Sequence, residues 1–470
     1  IDVNNLQLGV QAQGATGGTT AGTLGTNYVG QMDVDGAAAL VVNSNLLLTV
    51  TNGGNVGAMN LLAILNINGG TVQSTNIVGG SGTSIINLNS GTLDLQGGQA
   101  VNITTVSVGD GVSSSAQLIN GAKLTSSHPV TIAANGTLAG NTAIISPSLV
   151  VNGTVAPGDT NVAAAIGIVT NTGGVVFGSG GTLTVDMSDA QSAGGRDALF
   201  AGGIFDMAAA NTNPFVIQLR SLDLVNDGNP GAANFDNNSA QSWSVATATA
   251  GITNFAANKF SVDSSAFLND LAGGYFIVTT NDMSLSLAFV PNSPPSANDV
   301  SYYLPASGLL QVPIASLAAQ WSDPNGDPVQ LLEVSPSSAN GTNNVSSDAN
   351  YIYFTGNPDD AITYTIGDLR TNPPAVYRPG DTQRTATGVI NVLPTPQISR
   401  VSGNGPILVF GGSGAAPNGT YYVLSSTNIQ VPLAQWTVTA TNSIDANGDF
   451  NFTNTPDPAA PQTFYLIQTQ

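Results

Sequence analysis

A chain of 470 residues with 28 acidic and eight basic side chains carries a net charge of -20, which repels polyanions and excludes nucleic acid and anionic membrane surfaces as partners. The absence of cysteine removes disulfides, thiolate metal sites and cysteine nucleophiles together. All acids but Glu333 are Asp, the only lysines are Lys123 and Lys259, and 55 residues are Gly; Asp, Asn and Gly belong in turns while helix surfaces favour Glu and Lys, so an all-β chain is predicted.

At the N-terminus, Ile1, Val3, Leu6, Leu8 and Val10 form a broken alternation, followed by a Gly/Thr/Ala tract at 14–25 that reads as a tether. A free-ended strand on a tether is suited to donation into a neighbouring subunit's sheet through main-chain bonds. The alternative is that it forms the first coil or N-terminal cap of the structure that follows.

Seven times between 50 and 185 the chain repeats one phrase, a turn on Asn or Gly followed by a small residue and an aliphatic one. The copies are 52–56, 68–72, 89–93, 120–124, 135–138, 152–155 and 180–183. Asn and Gly accept the left-handed conformation of a sharp corner, and Thr, Val or Leu then begins a half-buried strand. Spacings of 15 to 31 residues fit units that must stack to bury their apolar faces, which predicts an N-terminal β-solenoid (β-helix). After Met187 the phrase stops and longer, more aromatic runs such as 214–219 and 275–278 predict a cap over 187–290, closing a first domain at 1–290.

Two proline-rich punctuations, at 290–296 and 393–396, mark the remaining boundaries. Between them 297–393 predicts a β-sandwich with strands near Tyr302, Val329, 351–354, 364–366 and 389–392. A second, smaller sandwich is predicted over 397–470 with strands at 407–410, 420–425, 435–440, 450–454 and 463–468. Trp436, in an alternating run, reads as core.

SPSLVVNGTVAPGD (146–159) and the following VVFGSGGTLTVDM resemble the passenger-type β-helix repeats of bacterial autotransporters. SDPNGDPVQL (322–331) and FTGNPDDAITYTIGD (354–368) resemble cadherin-like or Ig-like tandem repeats of bacterial surface adhesins. The last module, around GTYYVLSSTNIQVPLAQWTVTATNSIDANGDFNFTN, is similar to a C-terminal domain of large secreted Verrucomicrobia-type proteins. These resemblances imply an extracellular, structural or adhesive role, although the lipid-facing barrel that ends an autotransporter is missing from the pattern.

The β-helix also hosts polysaccharide lyases and hydrolases, which need facing carboxylates or a positioned base. Between 45 and 185 the ionisable side chains are Asp94, Asp110, Lys123, His128 and Asp159. Asp94 alternates with Leu93 and Leu95 and is expected on the outer face, Asp110 and Asp159 sit in turns, and His128 lies in a Ser-rich loop with no triad to join. No catalytic or cofactor site is predicted. Two loops, Asp323/Asn325/Asp327 and Asp445/Asn447/Asp449, place side-chain oxygens at alternate positions around a Gly turn. Such loops either hold calcium or are Asx-stabilised hairpin turns, and within the resembled family Asp323 and Asp327 are the implied ligands.

Low Lys and Glu content, with solubility carried by Asn, Ser and Thr, points to secretion, and a start at Ile1 fits a removed signal peptide or a shortened chain equally. With no apolar run of membrane-spanning length, no membrane insertion is expected. The function expected is a self-assembling subunit of an extracellular bacterial filament or surface layer, forming a homopolymer. The alternative is a monomeric adhesin contacting polysaccharide or a cell surface, and the third reading is a polysaccharide lyase or hydrolase.

Overall fold

The structure, a computed structural model, describes residues 1–10, 28–50, 61–159, 164–223, 231–404 and 406–469. It is all-β. The one α-helix among the described residues is the five-residue Ile314–Ala318, and no helix is long and apolar enough to cross a membrane. The chain divides into two compact units, Ile1–Pro291 with Pro373–Asp381, and Asn292–Asn372 with Thr382–Gln470.

In the first unit 26 strands form one sheet, and most of its strand pairs are parallel. From Gln99–Ile103 to Phe215–Ser221 each strand pairs with the third strand along the chain. Thus Lys123–Ser126, Ala143–Ile145, Ile168–Asn171, Ala198–Ala201 and Gln241–Ala248 stack as one column. A second column contains Gly136–Ala139, Thr154–Ala156, Thr182–Met187, Phe215–Ser221 and Phe260–Ala266. Three successive strands therefore make one layer, and layers stack. Nearer the N-terminus, Leu61–Ser74 and Thr83–Asp94 each bend and serve two columns, because the corner is made within the strand.

Six of the seven repeated phrases fall at these corners; the first, 52–56, lies outside the described residues. Gly91 shows why the phrase needs glycine. Its φ is +87°, and an added Cβ would stand 2.2 Å from the carbonyl oxygen of Gly70 in the adjacent layer. Both backbone conformation and the closeness of stacked corners thus exclude a side chain. Along the strands, aliphatic residues alternate inward to one continuous core running from Val34 to Phe289. Each fully buried Val, Leu or Ile contributes about 1.5–3 kcal/mol.

On the outside, amides form ladders of constant direction. Asn87 donates to Asn66 Oδ1 (2.9 Å) and Asn66 to Asp33 (2.7 Å); Asn89 donates to Asn68 (2.8 Å) and Asn68 to Asp35 (2.8 Å). Gln99 donates to Asn76, Asn76 to Asn45, and Asn45 to Asn5. Each net bond adds about 0.5–1.5 kcal/mol.

The cap expected over 187–290 is shorter in the structure. Parallel stacking continues through Phe260–Ala266, and only Tyr275–Thr280 and Ser284–Val290 turn antiparallel, the latter pairing with Gln241–Ala248. The aromatic residues read as a cap signal instead fill the interior of the late layers, where Phe177 stacks on Phe215 at 3.9 Å and Trp243, Phe267, Phe276 and Phe289 surround Phe235. Larger inward side chains replace the repeated corner phrase without ending the stack. The segment Pro373–Asp381, which falls by sequence within 297–393, packs here too: the Arg378 guanidinium donates to the carbonyls of Ser264, Phe267 and Asn269, and Asp381 accepts from Leu271 N.

In the second unit, a four-stranded sheet (Val300–Tyr303, Thr385–Leu393, Asp360–Asp368, Val329–Val334) and a three-stranded one (Leu309–Pro313, Tyr351–Thr355, Val345–Ser347) share a core around Val312, Ile352, Tyr364 and Ile390. Two three-stranded sheets enclose a further core around Phe410, Tyr421, Val423 and Phe452. One of these sheets begins with Gln397–Asn404, a strand the polar sequence gave little reason to expect. Trp436 is not part of that core; it follows a short 3-10 turn, is half-buried and donates to Val431 O. The alternation around it belongs to an edge strand with both faces largely exposed.

Candidate metal centre and buried carboxylate clusters

The two Asp-Asn-Gly-Asp loops fold alike. Asp323 Oδ1 accepts from the N–H groups of Asn325 (2.7 Å) and Asp327 (3.1 Å), with Gly326 at φ +79°. Asp445 Oδ1 accepts from Asn447 (2.9 Å) and Asp449 (2.8 Å), with Gly448 at φ +83°. Both are therefore Asx turns, as one of the two sequence readings holds.

Their surroundings differ. Asp323 and Asp327 meet Asp368, at the end of Asp360–Asp368, and one oxygen of each carboxylate lies within 4.8 Å of the others. Asp368 is fully buried and accepts from Asn292 Nδ2 (2.6 Å). Asp323 Oδ2 and Asp327 Oδ2 are shielded from solvent without hydrogen-bond partners, and Arg370 Nε stands 2.8 Å from Asp327 Oδ2 at ion-pair distance but without hydrogen-bond geometry. Burial raises the Asp327 carboxyl above the usual range, Arg370 opposes this, and Asp323 and Asp368 add to it. Three gathered carboxylates offer an oxygen-only ligand set, which suits a hard divalent cation. Asn325 is turned elsewhere, its Oδ1 accepting from Ser293 N. Asp368, some forty residues downstream, was not legible as a member of this group. At Asp445, Asn447 and Asp449 no third carboxylate gathers among the described residues, and the loop borders an open cleft with Arg400.

A second cluster escaped the sequence reading because its members are spread over 159–220. Asp186 on Thr182–Met187 lies in register with Arg220 on Phe215–Ser221. The Arg220 guanidinium reaches Asp186 (2.5 and 2.6 Å) and Asp159 (2.6 and 2.8 Å). Asp186 is fully buried, and burial pushes its carboxyl up to about 6 against the pull of Arg220. Asp197, also buried, accepts from Gly167 N (2.7 Å) and Asp186 N (2.9 Å), and burial drives it up to about 8. Arg220 thus ties Phe215–Ser221 to Thr182–Met187, so the cluster clamps consecutive layers.

The remaining sequence candidates are scattered. Asp94 lies between Leu93 and Leu95, which both enter the core, and is itself largely shielded, with Oδ1 accepting from Gln96 N and Asn120 Nδ2. Asp110 caps Val112 and Ser113, which hold its carboxyl down at about 2. His128 is exposed, with Nδ1 2.9 Å from Thr104 O, and joins no catalytic group. Of the N-terminal residues, Val3, Leu6 and Leu8 pack on the core, and Asp2–Leu8 pairs in parallel with Ala39–Leu48 of the same chain. Ile1 is exposed and Val10 half-buried. The tract 14–25 lies outside the described residues. An uncharged groove of about 570 Å³ runs across successive layers, lined by Thr104, Thr125, Ser126, Ser146 and Thr172.

No family model, no curated protein and no solved structure matches this chain.

Proposed function

We propose that the first unit is a β-solenoid, the second a pair of Ig-like sandwiches, and the whole a secreted or surface-exposed bacterial structural subunit that self-associates. The observation that carries this reading is the end of the stack: the outer edges of Asp2–Leu8 and Tyr28–Asp35 pair with no strand among the described residues. An open parallel edge is a template for another chain. The clamp built by Arg220 and the ladders of Asn hold a shape and leave few free acids or bases for a reaction, so no enzymatic activity is proposed. Calcium, where present, acts as a structural ion at Asp323, Asp327 and Asp368. Sedimentation and electron microscopy across protein concentration test the assembly: growing polymers are expected, and a monomer at every concentration refutes it.

A second reading, adhesion to a neutral glycan, is favoured by the hydroxyl-lined groove, whose lining carries no charge. Retention of neutral polysaccharides, lost on replacing Thr125 and Thr172 by bulky residues, supports that reading.

A further inference from the structure

The polarity of the amide ladders determines what can bind the open end of the first unit. Every ladder donates toward the N-terminus; three contacts end on carboxylates, Asn43 Nδ2 reaching Asp2, Asn66 reaching Asp33 and Asn68 reaching Asp35, while a further ladder ends on the amide of Asn5. These three carboxylates are exposed, and a carboxylate offers about four acceptor positions; the ladder fills one on each, and Gln31 Nε2 also donates to Asp33. A strand that brings side-chain donors and no acids complements Asp33 and Asp35, and a second copy of the same acidic end is disfavoured by like-charge repulsion.

Tyr28–Asp35 carries two of the three carboxylates and an exposed apolar start, with Val29 57% and Tyr28 36% exposed. Within the same chain one strand has the opposite character. Gln397–Asn404 is also eight residues long, and its outer edge pairs with nothing among the described residues. Gln397, Ser399, Arg400 and Ser402 are exposed donors, no acid occurs in the strand, and Ile398 and Val401 are 49% and 68% exposed.

Arg400 is unusual among the eight basic residues. Arg196, Arg220, Lys259, Arg370, Arg378 and Arg384 are all engaged within the chain, and Lys123 lies in a strand paired on both sides. Among the described residues, Arg400 is the cation that sits on an open strand edge without an ion pair. The other three edge strands of that module, Thr437–Ser443, Phe450–Asn454 and Phe464–Thr469, carry no charge.

We propose that Gln397–Asn404 of one molecule adds as a strand to the Tyr28–Asp35 edge of a second, with Arg400 against Asp33 and Asp35. This rests on the self-association reading above and names its contact. Main-chain pairing holds the strands, while the charges select this edge over other partners.

The absence of cysteine makes the contact directly testable in the full-length chain. Asp33→Cys and Arg400→Cys, prepared separately and mixed under oxidising conditions, are expected to give a disulfide-linked mixed dimer in excess of either self-linked dimer. In parallel, Arg400→Glu is expected to raise the concentration needed for assembly at least tenfold, and Asp33→Lys with Asp35→Lys to do the same. Mixing those two charge-reversed proteins is expected to restore association. Circular dichroism and melting establish that each variant is folded, and the cysteine pair stands independently should a charge reversal fail to fold. Assembly of Arg400→Glu at the wild-type concentration, or cross-linking no greater in the mixture than in each protein alone, overturns the proposed contact while leaving self-association standing. A wild-type protein that stays monomeric overturns both.

Discussion

Asp197 makes the stability of the first unit fall as pH rises through neutrality. Its carboxyl is 1% exposed and accepts two backbone N–H bonds, from Gly167 and Asp186, yet burial outweighs them and raises it from 3.8 to about 8. A group whose folded pKa is raised stabilises the fold fully below its unfolded value, and that contribution is lost as pH rises to the folded value. The window here is therefore about pH 4 to 8. At about 1.4 kcal/mol per unit, the loss is on the order of 6 kcal/mol by pH 8, and Asp186, raised to about 6, adds on the order of 3 kcal/mol between pH 4 and 6. Structural relaxation lowers both. Carboxylates whose pKa is depressed, such as Asp110 at about 2 and Asp263, are already ionised in this window; their contribution is lost only in acid, so it does not mask the slope. Because the chain has two units, a global melt mixes two transitions. Hydrogen exchange read on peptides containing the Gly167 and Asp186 amides isolates the effect, and after correction for intrinsic rates protection is expected to fall from pH 5 to 8 and level off above. Asp197→Asn is expected to flatten that slope while lowering protection at pH 5 by about 1–3 kcal/mol, since its amide places a donor against a backbone N–H. Constant or rising wild-type protection, or an unchanged slope in Asp197→Asn, refutes the reasoning.

Gly91→Ala is expected to cost well over the roughly 1–2 kcal/mol of left-handed strain, because its Cβ meets the Gly70 carbonyl at 2.2 Å; Gly97→Ala, at φ +78° with nothing within 4 Å, is expected to cost the strain alone. Equal losses in urea titrations would show that corner stacking is not close. Arg220→Met is expected to destabilise the first unit by about 3–5 kcal/mol at pH 8 and by clearly less at pH 4, where Asp186 is protonated; a pH-independent loss would count against the clamp. Calcium at about 100 times its dissociation constant is expected to stabilise the second unit by about 2.7 kcal/mol through Asp323, Asp327 and Asp368. Asp368→Asn should abolish the shift and Asp445→Asn should leave it, and the absence of any calcium effect in calorimetry would remove the ion from the site.

What was legible in the sequence was local. Asn-Gly corners followed by Thr, Val or Leu carry their conformational demand within four residues, so corner and strand can be read together, as at Asn135 and Gly136–Ala139. The late layers of the first unit were harder to follow because Phe177, Phe205 and Phe215 meet only after the chain has travelled around successive layers. The same distance hid Asp186 and Arg220, 34 residues apart but facing in register, and Asp368, which joins Asp323 only once the sheets have closed. In a stacked parallel fold the neighbours that determine a side chain's environment lie one layer away, at a spacing that insertions change from turn to turn.

That property also explains how ladder direction bears on assembly. Each Asn must donate along the stack to satisfy its neighbour, and the donor chain therefore has a beginning and an end, although no single residue carries a direction. At positions 33 and 35 of the edge strand Tyr28–Asp35 the ladders end on Asp, which accepts but does not donate, whereas an amide there would do both. In the proposed contact, the carboxylates that disfavour pairing of two identical ends are the same groups that favour a donor-rich, acid-free strand, which is the character of Gln397–Asn404.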